Sequence, residues 1–280
     1  MKNLVIRTIT GLVYVVALVA CTLWHPVSAF FFFGAVALAG VLEFCTIMNN
    51  HYEADINRNI TAMAAVILVA ASWEYQLGLG DYTKMIALYG FTLLYIIITE
   101  LYRQAEDPIK NWTLALASQL YVALPFALLP FICVHYDIEK GGMAYDGMYA
   151  LAIFIFLWTS DTGAYLVGSL LGKYIPYKLF PRISPHKSWV GSIGGGLLTL
   201  AAAAVLWHFV GGLSLLQWLG LGLVVCVFGT WGDLVESLIK RQLGIKDSGN
   251  VLPGHGGILD RFDSALLAIP AAVIYCTYFL

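Results

Sequence analysis

Nine stretches of about twenty apolar residues, joined by short connections, leave this chain few ways to fold: roughly 4–24, 28–48, 60–79, 85–102, 112–134, 149–171, 189–210, 214–232 and 264–280. A bilayer core ~30 Å thick is crossed by ~20 residues of helix. Inside it every backbone amide and carbonyl needs a protein partner, and a helix supplies all of them within its own segment. A soluble globular domain is excluded by composition. Charged residues make up 11% of the chain, against about a quarter in soluble domains, and the mean hydropathy is +0.80. The expected fold is an all-α polytopic membrane protein of about nine transmembrane helices, with residues 1–280 forming a single integral membrane domain.

Lysine and arginine placement sets the expected orientation. With the N-terminus inside, thirteen of the fifteen basic residues fall inside, and only Lys84 and Lys140 fall outside. The N-terminus is thus expected in the cytoplasm, the C-terminus outside, and the loops 172–188 and 233–263 on the cytoplasmic side. The first span begins basic (Lys2, Arg7), but it is long and no small-x-small cleavage site follows it. It reads as a retained helix rather than a signal peptide. Cys21, Cys45, Cys133, Cys226 and Cys276 all lie in apolar segments without a C-x-x-C pair. They indicate neither a zinc site nor a disulfide framework.

Residues 1–148 carry mixed, scattered charges in loops such as NNHYEADINRN and YRQAEDPIKN, and read as a helical scaffold half. Pro125 and Pro130 are expected to kink or loosen the fifth span. Residues 149–280 form the catalytic half, with WTSDTGAY (158–165), KYIPYKLFPRISPHKSWVGSIGGG (173–196) and WGDLVESLIKRQ (231–242). The last of these runs into the charge- and glycine-rich segment 237–264. The chain has neither a solenoid-type repeat nor an inverted pair of broken helices of the secondary-transporter kind.

Asp161 sits inside an expected span, where an ionised group costs several kcal/mol unless it faces a polar cavity or a partner. The plainer reading is a helix-packing Asp satisfied by Ser160 or Thr162, whose hydroxyls could also line a nucleotide pocket. Asp233 and Glu236 are three apart, as are Asp260 and Asp263. On a helix each pair shares a face, and converging carboxylates at a phosphate site suit Mg²⁺. Such pairs also occur on solvated helices, where Glu236 and Lys240 would form an ordinary i,i+4 ion pair. Between the pairs lie Lys240, Arg241 and Lys246, suited to phosphate oxygens. Gly249, Gly254, Gly256 and Gly257 allow backbone amides to approach an anion. His255 could bind phosphate, bind metal or transfer a proton, or be a plain turn histidine. Ser184-Pro185-His186-Lys187-Ser188 leads into the seventh span through Gly191 and Gly194–Gly196. Hydroxyls, a lysine and a helix N-terminus together make an anion site, although the pattern is not a P-loop. A topology signal would explain its charges, but not Ser-Pro or the glycines.

The run S-L-I-K-R-(x4)-K-D-S-G-(x3)-P-G-H-G-G-I-L-D-R-F-D closely resembles the signature of the phosphatidate cytidylyltransferases, or CDP-diacylglycerol synthases. WTSDTGAY, the Ser-Pro-x-Lys-Ser loop and WGDLVES resemble their accompanying blocks. The likeness covers roughly residues 155–265, and residues 1–148 add only length and hydropathy. It implies that CTP and phosphatidate give CDP-diacylglycerol and pyrophosphate with Mg²⁺, leaving room for a second cation. It also implies a catalytic set of Asp233, Asp260, Asp263, Lys240, Arg241 and His255. Asp233 and Asp260 are its leading metal ligands and Asp263 comes next. Ser160, Asp161, Ser184, Lys187, Ser188, Lys246, Asp247 and Arg261 would contact substrate. One departure stands out: after Trp189 the family often carries Glu or another polar residue, and this chain has Val190.

The expected partners are CTP, phosphatidate and membrane lipid, with no nucleic acid and with room for a homodimer. The expected location is a bacterial inner (plasma) membrane with the active site facing the cytoplasm. A CTP-dependent isoprenoid-alcohol kinase or an ether-lipid cytidylyltransferase is the alternative. An ion-coupled transporter is more remote, because the polar residues gather in loops rather than at the midplane.

Overall fold

The computed structural model describes residues 2–137, 141–251 and 256–279, with side chains from residue 8 onward. Among them run helices α1 (Lys2–Trp24), α2 (Pro26–His51), α3 (Arg58–Leu77), α4 (Tyr82–Arg103) and α5 (Pro108–Cys133). Then come strands β1 (Val134–Asp137) and β2 (Gly142–Tyr145), helix α6 (Gly147–Leu171), and strands β3 (Lys178–Phe180) and β4 (Ser184–Ser188). Helices α7 (Trp189–Val210), α8 (Leu215–Gln242) and α9 (Leu259–Phe279) complete the chain. Helices α2 to α9 are eight that are long and apolar enough to cross a membrane, and α1 contributes a shorter apolar helix, Thr8–Trp24. Each falls on one of the nine apolar stretches, so the chain is an all-helical integral membrane protein.

The departures from the expected spans are local and have physical causes. Two antiparallel hairpins, β1–β2 and β3–β4, occupy connections that hydropathy leaves blank. Helix α8 runs ten residues past the expected end at 232, so 233–242 is helix rather than loop. Polar residues end an apolar run without ending a helix. Here Leu234 and Glu236 still face inward, Glu236 pairs with Lys240 one turn on, and the stop comes with left-handed Gly244 (φ 68°). Helix α9 likewise starts at Leu259, ahead of the apolar run, and this makes Asp260 and Asp263 helical. In α5 the expected loosening takes the form of a π-turn at Gln119–Ala123 just before Pro125, whose nitrogen cannot donate to the carbonyl four residues back.

Two compact units divide the chain. The first comprises Met1–Gly147 and Leu243–Phe262. In it α2 packs on α1 and α3, α3 packs on α4, and α5 lies against α2 and α3. An aromatic column of Phe33, Phe126 and Phe262 runs through its core, with ring centroids 6.3 Å and 5.4 Å apart. Buried Glu100 accepts from Arg103 (2.6 Å) and Asn111 (3.0 Å), and Arg103 also grips Asp55, pinning the connections of α3, α4 and α5. Tyr145 closes the β1–β2 hairpin onto α1 by donating to Thr22 O at 2.5 Å, and burial pushes its phenol above the usual range.

The second unit comprises Met148–Gln242 and Asp263–Leu280. Helices α7 and α8 form its main helix pair. Trp218 is fully buried, stacked on Tyr149 (5.8 Å) and edge-on to Phe156 (6.2 Å).

Candidate active site

In the second unit, α6, β4, the start of α7 and Thr230 of α8 line a half-open cavity of about 410 Å³. Its polar lining includes Ser160, Asp161, His186, Lys187, Ser188 and Thr230. Helical spacing aligns Ser160, Asp161, Ala164 and Gly168 on one face of α6. The opposite wall lies unusually near, because a Cβ on Gly195 of α7 would fall 2.6 Å from Ser160 O. The β3–β4 pairing sets Ser188 opposite Lys178 in extended backbone. Ser188 then serves as the N-cap of α7, its Oγ accepting from Gly191 N at 3.2 Å. The cavity therefore contains the N-terminal turn of a helix, where Gly191 and Ser192 complete the wall.

Lys187, one residue before this cap, reaches Asp233 of α8 at 2.6 Å. Ser237 donates to the other Asp233 oxygen at 3.2 Å. Neighbouring Gly232 lets α8 and α9 touch, since a Cβ there would lie 2.5 Å from Asp263 O. Asp263 thereby lies within electrostatic reach of Asp233, Asp161 and Lys240, and Asp161, on α6, lies within reach of Lys187 and Asp233. Glu236, 3% exposed, pairs with Lys240. Four acids thus stand against two lysines in one neighbourhood. A divalent cation would balance that excess, and all the donors are hard oxygens of the kind Mg²⁺ prefers, with waters and substrate phosphates completing its shell. Among the described residues no three His, Cys, Asp or Glu side chains are spaced to hold a metal ion by themselves.

Asp260 lies in the first unit, and its surroundings differ from the sequence expectation. Its Oδ2 accepts from Ser248 N (2.9 Å) and Gly257 N (2.8 Å). The next two amides, Ile258 N and Leu259 N, donate to Glu43 of α2. These amides at the end of the glycine-rich segment hold carboxylates of the chain itself, where the sequence suggested a substrate anion.

The remaining expected residues are spread out. Ser184 pairs across the hairpin with Phe180, away from the cavity wall. Arg241 is exposed and donates weakly to Ile183 O at 3.5 Å. Lys246, Asp247 and Arg261 are exposed in or beside the segment that packs with the first unit. His255 lies outside the described residues. Val190 is buried on the far side of the α6–α7 pair, among Leu166, Val167 and Ile193, so the departing position faces an apolar environment.

Sequence reasoning missed five polar wall residues and one acid. Tyr165 and His186 stand within motifs already noted but were not assigned to the site, and Ser169, Ser192 and Thr230 line the cavity without any distinguishing local pattern. Glu43 did carry a signal: it is an ionisable residue within an apolar stretch, the criterion that picked out Asp161.

Comparison with known proteins bears on the whole chain. The sequence profile of the cytidylyltransferase family matches residues 5–279. A phosphatidate cytidylyltransferase of Staphylococcus aureus (strain COL) is 32% identical over 95% of this chain and 96% of its own length. Proteins of the same description from Staphylococcus saprophyticus subsp. saprophyticus and Staphylococcus epidermidis are each 33% identical over the same shares.

Proposed function

The chain belongs to the cytidylyltransferase family, and on that premise we propose that it joins CTP to phosphatidate, giving CDP-diacylglycerol and pyrophosphate. The observation that carries this reading is the cavity in which Lys187, Ser188 and the start of α7 stand beside the Asp161–Asp233–Asp263 cluster. A lysine, hydroxyls and helix-terminal amides suit phosphate oxygens. The adjoining carboxylates suit the cation that accompanies a nucleoside triphosphate.

In this reaction a phosphate oxygen of phosphatidate attacks the α-phosphorus of CTP, and the bond from that phosphorus to the bridging α–β oxygen breaks, releasing pyrophosphate. The nucleophile is already anionic, so no strong general base is required. The main obstacle is mutual repulsion of two polyanions. Lys187 and the α7 terminus offset it, and Asp233 holds the lysine in place between turnovers. Ser160 and Thr230 offer hydroxyls to the nucleotide. Asp233 and Asp263, with Asp260 in the set that the resemblance implies, are the residues that would hold Mg²⁺. When bound, the ion neutralises phosphate charge and stabilises the leaving pyrophosphate. The lipid stays in the bilayer throughout, because each acyl CH₂ withdrawn would cost roughly 0.8 kcal/mol. The bias of basic residues supports a cytoplasmic site in a bacterial inner membrane, where CTP is available.

The test uses protein purified in detergent with phosphatidate, Mg²⁺ and CTP labelled at the α-phosphate, beside an Asp233→Asn variant. Label should enter chloroform-soluble lipid only with Mg²⁺ and only with the wild-type protein. Label that stays aqueous, while γ-labelled CTP phosphorylates a polyprenol, would replace this reading with a kinase.

A further inference from the structure

We propose that Glu43 is a positioning residue for this transfer: from the scaffold helix α2 it clamps the signature loop and the start of α9, and so fixes Asp260. The proposal rests on the cytidylyl-transfer reading above.

Glu43 lies within the apolar run of α2 and is only 7% exposed. A carboxylate buried there needs strong partners, and the loop supplies all of those seen. Ser248 Oγ donates to Oε1, Leu259 N donates to Oε1 at 3.0 Å, and Ile258 N donates to Oε2 at 2.9 Å. Leu259 N opens α9 and Ile258 N immediately precedes it, so neither has an intrahelical acceptor, and the helix dipole favours a negative charge there. Glu43 thus acts as an N-terminal cap delivered from a helix more than two hundred residues earlier in the chain.

Ser248 passes this grip on to Asp260. Its hydroxyl, engaged with Glu43, accepts from Asp260 N at 3.3 Å, and its own amide donates to Asp260 Oδ2 at 2.9 Å. Moving Glu43 would release both ends of the Asp260 cradle, along with Lys246 and Asp247 just ahead of Ser248. The motif's glycines fit the same account. A Cβ on Gly257 would overlap Glu43 Oε1, and one on Gly249 would lie 2.7 Å from Oε2. These positions are small so that an internal carboxylate can enter.

The clamp is separable from folding. Phe262 anchors the start of α9 on its own, 2% exposed and packed against Phe126 at 5.4 Å and Tyr14 at 5.6 Å. Loss of Glu43 should therefore loosen the loop while leaving the core closed.

Two variants test this, by different routes. Glu43→Gln keeps the shape but turns one acceptor into a donor facing an amide. Gly249→Ala keeps the carboxylate but crowds it out of place. Each should lower kcat/KM for CTP at least tenfold while the KM for phosphatidate stays within twofold. Each should also speed amide exchange at least tenfold in residues 243–251 and 256–260, with protection in α2 and α3 unchanged. Wild-type kinetics in Glu43→Gln would overturn the proposal. So would lost activity with unaltered loop exchange, and so would loosening spread across the whole first unit with both KM values raised together. If the wild-type protein makes no cytidylylated lipid, the reaction assignment fails on its own. Exchange would then still decide whether Glu43 clamps the loop.

Discussion

Gly195→Ala should damage this protein, and Gly196→Ala, one position along the same helix, should not. The added Cβ at 195 would stand 2.6 Å from the backbone oxygen of Ser160, about 0.8 Å inside the 3.4 Å at which ordinary contact begins. A carbonyl oxygen cannot rotate away, so α6 and α7 must separate or shift along one another. Overpacking of this kind costs about 1–3 kcal/mol, against which alanine returns ~1 kcal/mol of helix propensity. At 196 the nearest atom to a new Cβ is Cys226 Sγ at 3.9 Å, so only the propensity gain applies. The two variants should differ by about 1–3 kcal/mol, with Gly196→Ala at or above wild type. Activity should separate them further, because Ser160 and Asp161 form one cavity wall and the N-terminus of α7 forms the other. A displacement approaching 1 Å at a reacting centre can cost on the order of a hundredfold in rate. The assay is CDP-diacylglycerol formation together with thermal unfolding in one detergent. Equal melting temperatures and equal kcat/KM for the two variants would refute the close-approach argument.

Three further outcomes follow from the same geometry. Lys187→Met should lower kcat/KM about a hundredfold or more, the usual scale for losing a charge-stabilising donor, and Lys187→Arg should recover part of it; equal activity of Met and Arg variants would remove the lysine from phosphate binding. Asp263→Asn takes one acid from the four facing two lysines, so half-saturating Mg²⁺ should rise roughly tenfold, read by titrating activity against free Mg²⁺; an unchanged midpoint would exclude Asp263 as a contributor to cation binding. Glu100→Ala leaves buried Asn111 without its acceptor, while half-buried Arg103 keeps Asp55, and should cost about 1–3 kcal/mol of stability, with kcat of the folded fraction unchanged; wild-type unfolding would show that the cluster holds nothing together.

The sequence was most legible where one physical rule acts alone. Apolar length located each membrane helix among the described residues, because an unbroken apolar run of about twenty residues satisfies its own backbone in hydrocarbon by turning helical. It misjudged helix ends, as at 233–242, because hydropathy registers where side chains turn polar while hydrogen bonding and Gly244 decide where the helix stops. Lys187, Ser188 and Asp161 were legible as an anion site, since each belongs to a short motif beside a helix start. Their meeting in one cavity depends on the Gly195 approach, which no local pattern records. The glycine-rich segment was legible as a place where amides hold an anion, but the sequence could not say whose anion it is. Glu43 meets the rule that singles out Asp161, but its sequence neighbours carry no chemistry and mark its half of the chain as scaffold.

The sequence by itself determined that this chain is a bundle of membrane helices, and its motifs alone resembled those of the family to which it belongs. Both follow from local properties: the cost of polar groups in hydrocarbon, and the limited set of side chains and backbone turns suited to phosphates. Only the tertiary structure decided which carboxylate faces a lysine, which feels its acidic neighbours, and which is spent on holding backbone amides. Those assignments depend on distances of a few ångströms between residues far apart in the chain, where the energy of a charge changes with each neighbour it gains or loses.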